Sequence, residues 1–178
     1  SQNRTQGELH PLGNPHINLD PEQGRLMARA IAEGLERVDP DGAATYREGL
    51  ARFSARLDEK IPELAKLAAP LRGVKAVSYH QDLVYLAARY GIDLVGTIED
   101  KPGIPATPGH VEELLSTMQR EKVQLVIHEV SYDPSLGESL AKRTGARVAT
   151  ISALAGGLGR PGYIESIQAN LEFAKRYV

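Results

Sequence analysis

The sequence of 178 residues contains no cysteine. A disulfide framework, a thiolate zinc site and a cysteine nucleophile are therefore excluded. Long apolar runs are also missing, since no stretch approaches the roughly 18 residues that suggest a membrane-spanning helix. Basic runs are missing as well, and 21 basic against 23 acidic residues give a net charge of -2. Nothing in this charge pattern predicts a nucleic-acid-binding surface.

The composition is that of an ordinary globular protein, with 42% hydrophobic and 25% charged residues. The length suffices for one well-packed domain, or for one domain and part of another. The chain begins with a polar segment, residues 1–7, that has neither a methionine nor a signal peptide. We therefore expect that a targeting segment has been removed from this chain.

Two long helices are predicted before any strand. Asp20 is a good N-cap and Pro21 suits the first helical position, and the turn at residues 39–42 ends the first helix. A second helix should run to about residue 70, with a kink or interruption at Pro62. Apolar residues at helical spacing mark one face of each helix: Met27, Ile31, Leu35 and Val38, then Tyr46, Leu50, Phe53, Leu57, Ile61 and Leu64.

From residue 74 onward, strands and helices alternate. The predicted strands cover residues 74–79, 93–98, 124–128 and 147–151, and the predicted helices cover 81–90, 108–121, 134–144 and 162–177. Such alternation predicts an α/β fold, in which helices flank a parallel sheet on both faces and the two long helices precede it.

Two histidines are candidates for binding a metal ion. His80 lies where the first strand ends and a helix begins, which is where open α/β sheets present functional groups, although a capping or packed histidine is commoner there. His16 lies in a loop. Two neutral imidazoles suit zinc and similar divalent metals, and they need one or two further ligands. Glu129, at the end of the third strand, is either a ligand or a structural carboxylate near the site.

Other candidate sites are weaker. Ser78, His80 and Asp82 are close in sequence, but they should point in different directions, and no Gly-x-Ser-x-Gly elbow accompanies them. The glycines at 156–159 lack dinucleotide spacing and a Walker lysine, so a flexible loop is expected there. His128 is expected to be packed and His110 to be solvent-exposed.

Several ordered motifs together resemble the metal-binding receptors of ABC importers, the zinc and manganese solute-binding proteins of cluster A-I. The motifs are Gly13-Asn14-Pro15-His16, Leu19-Asp20-Pro21, Asp39-Pro40, Tyr79-His80-Gln81-Asp82, Tyr85, Tyr90-Gly91, residues 99–105, His110, Gly145, Ser152 and Gly156-Gly157. The resemblance extends over residues 8–178. It implies two α/β lobes that are joined by a long helix, with one metal ion held between them.

The resemblance also implies a division of this chain. Residues 1–40 would be a remnant of the amino-terminal lobe, residues 41–72 the connecting helix, and residues 73–178 the carboxyl-terminal α/β lobe. His16 would be a ligand from the first lobe and His80 a ligand from the second. The family's further histidine precedes the stretch that corresponds to residue 1, and Ser152 stands where the family usually has an aspartate.

The function implied is that of a binding protein rather than an enzyme. It would capture zinc, or else manganese, in the periplasm or at the cell surface and deliver it to an importer permease. Zinc is favoured because the recognisable ligands are imidazoles. Two alternatives stay open: a metal-dependent hydrolase with Glu129 as general base, and an interaction module that no longer binds metal. Self-association or the missing lobe would bury Met27, Ile31 and Leu35.

Overall fold

A four-stranded parallel sheet flanked by helices forms one part of the molecule, and a pair of long helices forms the other. This computed structural model describes residues 13–101, 103–154 and 157–178. The predicted loop up to residue 12, Pro102 of the motif at 99–105, and Gly156 lie outside the described residues. The predicted α/β fold with a parallel sheet is confirmed.

The helical pair consists of α1 (Pro21–Val38) and α2 (Ala43–Ala68), which are joined by a short 3-10 turn. The Asp20 carboxylate accepts a hydrogen bond from the Glu22 backbone and so caps α1, as predicted. The predicted interruption at Pro62 is wrong, because α2 continues through it. The proline costs one backbone hydrogen bond, and the buried side chains of Leu57 and Leu64 on either side keep the helix packed.

All the strands and helices predicted in the α/β part are present. The strands are β1 (Lys75–Ser78), β2 (Asp93–Thr97), β3 (Leu125–Glu129) and β4 (Arg147–Ile151), and the helices are α3 (Val84–Tyr90), α4 (Pro108–Glu121), α5 (Ser135–Thr144) and α6 (Tyr163–Lys175). The largest difference is at α3, which begins three residues later than expected. Residues 79–83 form a turn instead, in which the Ser78 hydroxyl donates to the His80 carbonyl at 2.7 Å.

The core lies on both faces of the sheet. Side chains alternate between the faces, so Ala76 packs in one cluster and the adjacent Val77 in the other. The first cluster contains residues from the end of α2, from α3 and from α6. The second contains residues from α4 and α5, among them Met118 and Leu140. Both faces are therefore covered, as a parallel sheet requires.

The helical pair is less well buried. Leu26, Ile31 and Val38 on α1 are 54%, 59% and 80% exposed, respectively. An open groove of about 410 Å³ runs between α1 and α2, lined mainly by apolar side chains. Arg25 pairs with Asp58 across the two helices, so polar contacts supplement a thin apolar interface. The apolar stripe predicted on α1 is thus partly exposed in this chain.

The sheet order is β2-β1-β3-β4, and its carboxyl edge brings together residues from distant parts of the sequence. Ser78 at the end of β1 pairs with Thr97 on one side and Ile127 on the other. His80, Glu99 and Glu129 each lie two residues beyond one of these three paired positions. The described helices include none with an apolar stretch that could cross a bilayer.

The pairing of β2 with β1 contains a bulge. Ala76 pairs with Leu94, but the next residue, Val77, pairs with Gly96, so Val95 is the extra residue in β2. Gly96 then approaches α4 so closely that a side chain there would press on Leu114. The bulge shifts the register by one residue, and it therefore places Glu99, rather than Ile98, level with His80.

Candidate metal site

A cavity of about 370 Å³ lies at the carboxyl edge of the sheet. Segments at the ends of all four strands, together with the loop before α1, contribute to its wall. Its lining residues are His16, His80, Asp82, Glu99, Gly103, Glu129, Tyr132 and Ala153. Five of these eight side chains are histidine or carboxylate. Such nitrogen and oxygen donors are the groups that bind divalent transition metals.

His80 is a buried residue of the cavity wall and is held on one side by a carboxylate. Its Nδ1 lies 2.7 Å from Oε2 of Glu99. The rings of His80 and His16 meet edge to face, with 4.9 Å between their centroids. Residues 64 positions apart in the sequence are therefore neighbours in the fold, although no spacing pattern in the sequence relates them.

His16 is half-buried and is positioned by its own loop. Oδ1 of Asn14 accepts a hydrogen bond from the His16 backbone at 2.9 Å and lies 2.8 Å from Nδ1 of the ring. Each histidine of the pair thus has a side-chain oxygen at its Nδ1. The oxygen is a carboxylate for His80 and a neutral amide for His16.

Side-chain hydrogen bonds attach the His16 loop to the α/β part of the chain. Nδ2 of Asn14 donates to the Gln81 carbonyl at 2.6 Å, and the Tyr85 hydroxyl donates to the Asn14 carbonyl at 3.0 Å. Further along the loop, the Asn18 amide donates to the Ala153 carbonyl at 2.6 Å. The loop is therefore attached both at β1–α3 and after β4.

Asp20 fixes the end of the same loop. Arg89 on α3 donates to both carboxylate oxygens of Asp20, at 2.9 and 3.0 Å, and the Tyr163 hydroxyl on α6 donates to its carbonyl. The resemblance assigns His16 to the amino-terminal lobe, yet these contacts connect its loop to helices of residues 73–178. The division at residue 40 stays a prediction.

Glu129 and Asp82 are buried carboxyl groups in the cavity wall. Oε1 of Glu129 has no hydrogen-bond partner in the described part of the chain, although this residue is only 7% exposed. A buried carboxylate oxygen without a partner is costly unless a cation or donor approaches it. Burial also raises the pKa of the Asp82 carboxyl, an effect that the nearby His80 partly offsets.

Ser152, the residue at the family's aspartate position, is buried but does not line the cavity. Its hydroxyl donates to the Leu154 carbonyl at 3.1 Å. Its backbone amide and carbonyl are both bonded to the Asn170 side chain. The next residue, Ala153, is the one that reaches the cavity wall. The hydroxyl of Ser152 is thus engaged in the turn after β4.

The other two histidines within the described ranges are engaged elsewhere. His128 is buried, with Nδ1 2.8 Å from the Glu129 carbonyl and Nε2 3.1 Å from the Thr150 hydroxyl, and its burial lowers its pKa. The expectation that His110 is solvent-exposed is wrong. Its ring is half-buried, and Nε2 lies 2.9 Å from the Thr97 carbonyl because α4 packs against β2.

Sequence reasoning did not single out Glu99 or Asp82 as metal-site residues. Glu99 could have been found from strand pairing, since both β1 and β2 are followed two residues later by a polar side chain. A regular pairing of β1 with β2 would place Ile98 beside His80, so the bulge hides this relation from a reading of the sequence alone. Among the residues that the structure describes, no three histidine or carboxylate side chains already converge as a metal site. The assignment of His16 and His80 as metal ligands stays a prediction.

Comparison with known proteins identifies the family. Residues 1–175 match the profile of the ZnuA family, described as zinc-uptake complex component A, periplasmic. The chain belongs to this family. A curated ZnuA-family relative, the high-affinity zinc uptake system protein ZnuA of Haemophilus ducreyi, is 26% identical over 156 residues, which are 86% of this chain and 50% of that protein.

Solved structures of ZnuA-like proteins share the fold. A crystal structure of ZnuA superimposes with a TM-score of 0.79 at 25% identity, covering 93% of this chain and 62% of that one. The laminin binding protein Lmb of Streptococcus agalactiae, described as a bifunctional protein with adhesin and metal transporting activity, gives 0.79 at 28% identity, with 92% and 63% covered. The chain spans about half the length of the curated relatives it matches.

Proposed function

We propose that this chain is the metal-binding portion of a receptor that captures zinc outside the cytoplasm and delivers it to an ABC importer. The observation that carries the proposal is the edge-to-face contact of His16 and His80 in a cavity lined with carboxylates. The ZnuA family match supports the transport role. Binding and release, without a chemical step, are all that such a role requires.

Zinc is the metal that this donor set fits best. Neutral imidazoles are good ligands for zinc, whereas manganese sites depend more on carboxylates and water. The two histidines supply nitrogen donors from separate loops. We assign Glu129 as a third ligand, because its buried Oε1 has no other partner among the described residues. Ser152 is not included, since its hydroxyl already donates to the Leu154 carbonyl.

The residues that the structure describes supply only part of the proposed site, and this has a measurable consequence. Tetrahedral zinc needs four ligands, and the described residues supply two histidines and one carboxylate. The chain should therefore bind zinc, but more weakly than a complete four-ligand site. The remaining position would be filled by water or by a residue outside the described ranges.

The test is a zinc titration by calorimetry, with a competing chelator, on the wild-type chain, His16→Ala, His80→Ala and the double variant. Mutation of a residue that only supports a metal ligand typically weakens binding by about 10- to 100-fold. Each single variant removes a proposed ligand itself, so it should weaken zinc binding by at least as much. His110→Ala is the matched control, because His110 is half-buried and bonded outside the cavity, and it should leave the affinity unchanged.

Three outcomes would contradict the proposal. Tight, stoichiometric zinc binding that survives the double variant would place the site elsewhere. Undetectable binding by the wild-type chain would favour an interaction module. Zinc-dependent hydrolysis of an ester that is lost in Glu129→Gln would favour an enzyme. A parallel manganese titration, expected to give the weaker affinity, decides between the two metals.

The receptor role requires a position outside the cytoplasm and contact with a permease. Fractionation of cells that produce the full-length protein should recover it from the periplasm or the cell surface. Zinc-limited growth that depends on the full-length protein, and that is lost with His16→Ala and His80→Ala together, would support delivery to an importer. Growth unaffected by the double variant would contradict it.

A further inference from the structure

We propose that Glu99 is a positioning residue for His80, and that it fixes which nitrogen of the imidazole is offered to the metal. The inference rests on the proposed metal-binding function. Neither the resemblance nor the sequence patterns give Glu99 a role of its own. It would act on the metal only through His80, by holding the ring and its proton in place.

The contact between the two side chains is short and protected. Oε2 of Glu99 lies 2.7 Å from Nδ1 of His80, and the side chains are 10% and 7% exposed, respectively. Solvent screening is weak at such burial, so the charge-assisted hydrogen bond is stronger than a surface pair would be. The pair also lies directly in the cavity wall rather than behind a layer of apolar residues.

Glu99 is itself held firmly by the sheet. Its backbone amide donates to the Tyr79 carbonyl at 3.0 Å, which extends the pairing of β2 with β1 beyond the strand ends. Its carbonyl accepts from the Thr97 hydroxyl at 2.7 Å. Oε2 also accepts a longer hydrogen bond from the Gly103 amide at 3.4 Å. A carboxylate anchored in this way can orient a neighbouring ring.

The proton on His80 follows from this arrangement. A carboxylate only accepts hydrogen bonds, so Nδ1 of a neutral His80 must carry the proton that it donates to Glu99. Nε2 then has the free lone pair, and it is the atom that can bind a metal.

The same contacts argue that Glu99 is not itself a ligand. Oε2 is engaged by His80 and Gly103, whereas Oε1 of Glu129 lies in the same cavity without a partner in the described residues. The two glutamates at the sheet edge would then have different tasks. Glu129 would bind the ion, and Glu99 would position a histidine that binds it.

The experiment measures the His80 tautomer directly in the zinc-free chain. Imidazole nitrogen NMR at pH 8 should show the proton on Nδ1 of His80 in the wild type and a mixture of tautomers in Glu99→Leu. Glu99→Gln should keep the proton on Nδ1, because the amide oxygen still accepts. Zinc affinity should fall about 10- to 100-fold in Glu99→Leu and less in Glu99→Gln.

A control variant separates this role from a general loss of structure. Glu121→Gln removes a carboxylate that pairs with Lys75, away from the cavity, and it should change neither the tautomer nor the zinc affinity. Thermal unfolding of each variant checks folding. If Glu99→Leu does not fold, a Glu99→Gln chain with the proton on Nε2 of His80 would overturn the proposal by itself.

The outcomes distinguish the two proposals. An unchanged His80 tautomer in Glu99→Leu, with zinc binding intact, would overturn the role of Glu99 and leave the metal-binding function standing. A wild-type chain that shows the Nδ1 proton but binds no zinc would overturn the metal-binding function instead.

Discussion

His80 and His16 reach the same cavity with different kinds of support. His80 follows a strand directly, and its partner Glu99 follows the neighbouring strand, so backbone pairing sets both positions. His16 precedes a helix, and its loop depends on side-chain hydrogen bonds from Asn14, Asn18 and others. The backbone on the His80 side should therefore keep its geometry when a neighbouring side chain is removed, whereas the His16 loop should lose geometry when a single side chain is removed.

The two sides also differ in charge. The oxygen at Nδ1 is a carboxylate for His80 and an amide for His16. Charge-assisted hydrogen bonds are roughly twice as strong as neutral ones. His80 should therefore be the better oriented of the two proposed ligands.

The largest effect should come from Asp20, which anchors the His16 loop. Asp20→Ala removes the cap of α1 and leaves Arg89 without its carboxylate, so the free energy of unfolding should fall by about 2 to 3 kcal/mol. Arg89 is partly exposed, which keeps the loss below that of a fully buried pair. Urea denaturation measures it, and zinc affinity should fall as the loop loosens.

Asp58→Ala is the control for this variant. Asp58 pairs with Arg25, but its side chain is 69% exposed, so its removal should change stability by no more than about 0.5 kcal/mol. Equal losses from Asp20→Ala and Asp58→Ala would show that the loop is not held as described.

On the sheet side, Glu129→Met should have opposite effects on stability and on binding. Removing a buried carboxylate whose Oε1 has no partner in the described structure should stabilise the zinc-free chain by about 1 kcal/mol. The same change removes a proposed ligand, so zinc affinity should decrease. Thermal unfolding without zinc and calorimetry with zinc measure the two. A variant that loses stability and keeps its affinity would argue for a structural role.

Asn14→Ala tests the neutral support of His16. It removes the oxygen beside Nδ1 of His16 and the bond to the Gln81 carbonyl, so stability should fall by about 1 kcal/mol and zinc affinity about 10-fold. Asn14→Asp keeps an acceptor at Nδ1 and should recover most of the affinity. Failure of this rescue would mean that the bond to Gln81, rather than the ring contact, is what matters.

Tyr85→Phe should give the smallest effect. It deletes only the hydroxyl that donates to the Asn14 carbonyl, and the loop keeps its other bonds. Stability should decrease by about 0.5 kcal/mol, and zinc affinity about twofold. A loss as large as that of Asn14→Ala would show that the loop opens as one unit when any single bond is removed.

Much of the fold follows from local patterns, and the site does not. Helix starts at Asp20 and Thr107 and the stop at Gly145 follow from capping chemistry, which acts over a few residues. The proximity of His16 and His80 depends on how a distant loop packs, so only resemblance to a known family suggested it. The role of Glu99 depends on strand register, which local sequence patterns do not reveal.

Because of the bulge at Val95, the arrangement of the site depends on the register of β2 against β1. One residue inserted after Gly96 would leave every cavity side chain in the sequence, yet it would bring Ile98 level with His80 in place of Glu99. Zinc titration should then show a loss comparable to that of Glu99→Leu. Transfer of this site to another sheet would therefore require the irregular strand along with the ligands.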